Sequence, residues 1–138
     1  MTSRVPVQTK FGVLRGRDCI FLDRVGFEQG TNTVVLEGEV NGALVSRGGG
    51  DHYIGYVLRF CGVLALRMVE LDSWDENPSS SLDEIVGSPW VSDLGGKVTA
   101  QHRHFCVHTY DDVFDVVCET YELEFGMERP RPPPVGVR

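Results

Sequence analysis

Four side chains able to hold a metal ion stand at alternate positions of one segment: His102, His104, Cys106 and His108. In an extended strand they share one face, with Cα atoms about 6.6 Å apart at each step. Imidazole and thiolate suit Zn²⁺ or another late transition metal. All four cannot meet one ion, because the outer pair would stand about 20 Å apart. A centre built on His102 and His104, or on His104 and Cys106, needs ligands from a neighbouring strand. Asp111, Asp112, Asp115 and Glu119 are the acidic candidates. The competing reading is structural: a polar, solvent-facing side opposite a core face of Phe105 and Val107, or, between the two, an edge strand with both faces partly wet.

Charge supplies a second candidate. The 138 residues carry 20 Asp plus Glu against 13 Lys plus Arg, a formal net charge of −7. Residues 70–95 hold Glu70, Asp72, Asp75, Glu76, Asp83, Glu84 and Asp93 without a base. Residues 111–128 hold Asp111, Asp112, Asp115, Glu119, Glu122, Glu124 and Glu128, again without a base. Brought together, these stretches would make a field that attracts a basic protein and speeds association. Asp72, Trp74, Asp75, Glu76, Asp111, Asp112 and Asp115 are the expected contact residues, Trp74 because tryptophan is enriched at binding hot spots. The bases form no patch, so neither nucleic acid nor an anionic membrane is an expected partner.

Other chemistries lack their residues. No Gly-x-Ser-x-Gly elbow, phosphate loop or dinucleotide fingerprint occurs, and Gly48-Gly49-Gly50 reads as a flexible loop. Gly96, followed by His102-x-His104, resembles the opening of the cupin motif, which would imply a metal-binding β-barrel. The carboxylate of that motif is missing, since His108 and Thr109 occupy its place, and the family is not assigned. The four cysteines, Cys19, Cys61, Cys106 and Cys118, lie in apolar runs with no Cys-x-x-Cys spacing, as small buried hydrophobes do. With no secretory stretch at the start, a reducing cytoplasm is the expected setting.

The elements that position these residues read mainly as strands. Cys19–Val25 is a short β-rich run closed by Gly26. Val34–Val40 alternates and leads either into an Asn41-Gly42 hairpin or onward to Leu44. Tyr53–Leu71 is too long for one straight strand, so Gly62 is its expected corner, and its apolar character predicts cover on both faces. Ser81-Leu82-Asp83-Glu84 matches a capping box and Ser88-Pro89 a second helix start, with Gly95-Gly96 as the stop. His102–Thr109 and Val113–Phe125 alternate around a Tyr110–Asp112 turn, with a helix over Thr109–Cys118 as the rival.

The expected fold is therefore α+β. A curled antiparallel sheet or small sandwich, residues 1–128, carries one short helical insertion near residues 81–95. Residues 129–138 are expected to form a mobile Pro/Arg-rich tail. The expected function is a non-enzymatic protein-binding module, in composition similar to immunity proteins that neutralise a cationic partner. The alternative is a metal-binding domain or metalloenzyme centred on the histidine strand, with a transition metal as its cofactor.

Overall fold

The computed structural model describes residues 2–28, 30–70 and 80–130, with side chains to residue 126. Its elements are β1 (Ser3–Pro6), β2 (Ile20–Glu28), β3 (Thr33–Asn41), a 3₁₀ turn (Gly42–Leu44), β4 (His52–Cys61), β5 (Ala65–Glu70), β6 (Leu82–Val86), α1 (Pro89–Asp93), β7 (Arg103–His108), β8 (Asp112–Cys118) and β9 (Thr120–Pro130). They form two open antiparallel sheets, ordered β1-β6-β7-β8-β5 and β2-β3-β4-β9. Neither closes on itself, so the barrel implied by the cupin-like spacing is not formed.

Period-two alternation supplies one shared core. Leu36, Val40, Ile54, Leu58 and Phe60 from one sheet meet Leu82, Phe105, Val107, Phe114 and Val116 from the other. Phe60 and Phe105 are both fully buried, with ring centroids 5.9 Å apart. Removing either ring would cost about 3–5 kcal/mol. Gly62 turns the chain between the sheets at φ +67°, a conformation that glycine adopts without a Cβ clash.

Several local expectations change. β2 runs through Gly26 instead of ending there. Asn41 makes no tight hairpin: its side chain accepts the Ala43 amide at 3.0 Å and starts the 3₁₀ turn, and β4 begins only at His52. Residues 53–71 are not one doubly covered strand. β4 is interior to its sheet but leaves Val57 and Arg59 half-exposed, and β5 is an edge strand. The Ser81 capping box is absent, because Ser81 donates to Gly16 O and residues 82–86 pair with β1 and β7. The helical insertion shrinks to α1, where Ser88 does cap Val91 N at 3.3 Å. Residues 112–118 are strand, not helix. β9 stays paired through Pro130, opposite His52, two residues beyond the expected domain end; the remainder of the tail lies outside the described residues.

Candidate functional site

β7 is an interior strand, with β6 on one side and β8 on the other. Phe105 and Val107 enter the core, as expected. The opposite face is not wet: His104, Cys106 and His108 are buried there, at 7%, 0% and 3% exposure. The edge-strand reading is therefore corrected. Arg103 stays exposed, forking onto Glu84 at 2.9 and 3.0 Å while its guanidinium lies over the Phe105 ring.

Strand register explains how so polar a face can be buried. Asp83, Cys106, Asp115 and Arg67 stand directly opposite one another across β6, β7, β8 and β5. Arg4, on β1, reaches Asp83 Oδ2 at 2.7 Å and Cys106 Sγ at 3.8 Å. At the other end Arg67 donates to Asp115 Oδ2 at 2.9 Å. Each buried carboxylate thus has its own arginine, the condition under which burying a charge is tolerated.

His104 extends the row diagonally. Its Nε2 lies 2.6 Å from Asp115 Oδ1 and its Nδ1 lies 2.8 Å from Ser88 Oγ. Donation of Nε2–H to the carboxylate leaves Nδ1 to accept the Ser88 hydroxyl. Trp90 packs edge-on against the imidazole, and the Arg67 guanidinium lies over the Trp90 ring at 5.1 Å. Burial pushes the Asp115 carboxyl up, but the His104 and Arg67 hydrogen bonds outweigh it and hold the group below its ordinary range.

Serine, histidine and aspartate in series are the residue types that activate a nucleophile in hydrolases. Ser88 and His104 do line a cleft of about 350 Å³. Yet Ser88 is only 6% exposed, and its oxygen already receives the Val91 amide as the cap of α1. The relay fixes α1 on the sheet.

The metal candidates do not converge. Among the described residues no three His, Cys, Asp or Glu side chains gather as a metal would require. His102 precedes β7 and accepts the Thr99 amide at 2.9 Å, while His104 is held by Ser88 and Asp115. Cys106, deep in the sheet and beside Asp115, has its thiol pushed up to about 12, mainly by burial. Cys19 and Cys118 are likewise raised, to about 11 and about 12. Protonated thiols are poor ligands and poor nucleophiles.

The acidic candidates divide. Asp115 is 3% exposed and fully engaged, so it is no part of a surface. Asp83 and Glu84, from the first acid-only stretch, are paired with Arg4 and Arg103. Asp72, Trp74, Asp75 and Glu76 lie outside the described residues. Asp111 is exposed and Asp112 half-exposed, in a turn built by Thr109, whose Oγ1 accepts both of their amides. Glu70, the last residue of β5, is the register partner of Asp112. The two stretches therefore meet at this turn. Partial burial, then the charges of Asp111 and Glu70, push the Asp112 carboxyl above its ordinary value.

The chain matches no family model, no curated protein and no solved structure. No helix among the described residues is long and apolar enough to cross a membrane.

Proposed function

We propose that this protein is a non-enzymatic protein-binding module, with its two sheets arranged as a small β-sandwich, and that its acidic turn engages a basic protein. The observation that carries the reading is the meeting of Glu70, Asp111 and Asp112 from two base-free stretches. Like charges are crowded there at an energetic cost, which a cationic partner would relieve. Tyr110, 44% exposed beside them, adds the kind of aromatic surface that interfaces favour. Asp72, Trp74, Asp75 and Glu76 follow Glu70 closely in the chain and belong to the same proposal.

The test is affinity capture by the wild type and by an Asp111→Asn/Asp112→Asn variant, at about 50 and about 500 mM salt. A basic protein held by the wild type at low salt, released at high salt and ignored by the variant supports the reading. Equal capture by both forms, or none at low salt, removes it.

A further inference from the structure

The outer face of the β2-β3-β4-β9 sheet carries a second acidic feature. Arg24, Glu37, Val57 and Glu124 form one cross-strand row there. Beyond that row the outward positions on β4 and β9 are Gly55 and Gly126, and the sheet irregularities at Leu22/Arg24 and Ile54/Tyr56 bend the flanking strands. Without side chains at the two glycines, a trough of about 460 Å³ opens over the backbone. Its rim includes Asp23, Glu37 and Glu124.

This face holds six carboxylates among the described side chains, Asp23, Glu28, Glu37, Glu39, Glu122 and Glu124, against two guanidinium groups. Both of those are engaged: Arg24 with Glu37 at 3.2 Å, and Arg59 with Glu28 and Glu124 at 3.8 and 3.1 Å. Among the described side chains, carboxylates therefore outnumber guanidinium groups on this face. It is also joined to the acidic turn. Tyr53 stacks on Phe21 at 5.7 Å and Phe21 on Tyr110 at 5.3 Å, while the Tyr110 amide donates to Ile20 O at 2.8 Å. An aromatic ladder therefore connects the sheet face with Asp111. One cation already uses it, since the Arg17 guanidinium lies over the Tyr110 ring at 5.7 Å.

We infer that the trough and ladder form an extended docking surface for an arginine-bearing segment of a partner protein. The inference rests on the proposed binding function and deepens it. Arginine suits the surface better than lysine, because its planar group forks onto carboxylates and stacks on tyrosine. The glycines let the segment approach the sheet backbone, and the flanking acids supply the charge complement.

The test is an NMR titration of the ¹⁵N-labelled protein with an oligo-arginine peptide, and separately with oligo-lysine, at about 20 mM salt. The expected amide shifts fall on Glu37, Gly55, Glu124, Gly126, Phe21 and Tyr110, with the arginine peptide binding about threefold tighter or better. Gly126→Leu should weaken binding about tenfold by filling the trough. A Cβ at Gly126 would approach no closer than 3.7 Å to Gly55 O, and retained spectral dispersion checks the fold. Glu37→Gln/Glu124→Gln, which fills nothing, should weaken binding as well. Shifts confined to Asp111 and Asp112, or binding unchanged in both variants, overturn the trough while leaving the acidic turn standing. Absence of any binding to the wild type overturns both.

Discussion

The outward faces of the two sheets use the same residue types to opposite ends. On the five-stranded sheet Asp83 and Asp115 are buried and matched by Arg4 and Arg67. On the four-stranded sheet Glu37 and Glu124 are 39% and 70% exposed, and carboxylates outnumber arginines. A matched and buried charge row has no field left to offer a partner; what it contributes is a particular strand register. A wet surface whose described carboxylates outnumber its arginines, and whose ion pairs are exposed, contributes little to stability and can still attract a cation. The difference teaches that a charge count along the chain says little about binding until the pairings are known.

The largest effect that would sharpen this contrast comes from Asp115→Ala. It strips the acceptor from both Arg67 and His104, and should cost about 3 kcal/mol by urea unfolding at pH 7. Half-exposure of the Arg67 side chain keeps the loss from being larger. Because the Asp115 carboxyl is depressed in the folded protein, its contribution is complete above the ordinary carboxylate range, about pH 4. It is lost as pH falls through the lower folded value. The gap between wild type and variant should therefore be constant near neutrality and close in acid. A gap unchanged down to about pH 2 would break the account of the row.

A smaller effect is expected at Ser88. Ser88→Ala removes both the helix cap and the hydroxyl that satisfies His104 Nδ1, for about 1–2 kcal/mol by the same measurement. Intact-mass analysis after treatment with a fluorophosphonate should find no adduct on the wild-type serine. An adduct at Ser88 would turn the relay from a strut into a nucleophile.

Much of the fold was legible in the sequence, since alternation over His102–Thr109 and the glycine at position 62 are local signals. Ser88-Pro89 was legible for the same reason. The single alternating run Val113–Phe125, by contrast, divides at Glu119 into β8 and β9 of different sheets. Ser81–Glu84 misled because a capping box is also a local signal, and here pairing with β1, from nearly eighty residues away, overrode it. The histidine face was misread because nothing local announces an arginine. Arg4 and Arg67 are brought to Asp83 and Asp115 only by strand order, and they convert a face that looks wet into one that is buried. The trough was unread for a like reason: Gly55 and Gly126 are 71 positions apart in the chain and become neighbours only in the sheet.

The smallest effect carries the most weight, because it separates a binding surface from a structural one. The urea midpoint of Asp111→Asn/Asp112→Asn at pH 7 and low salt tests it directly. The raised Asp112 carboxyl means that the turn carries a penalty at neutral pH, which is relieved as pH falls through the folded value toward the ordinary carboxylate range. The variant should therefore unfold at or slightly above the wild-type urea concentration, with the advantage fading in acid and in high salt. A fall as large as that of Asp115→Ala would make these carboxylates part of the framework and remove the basis for a partner at this turn.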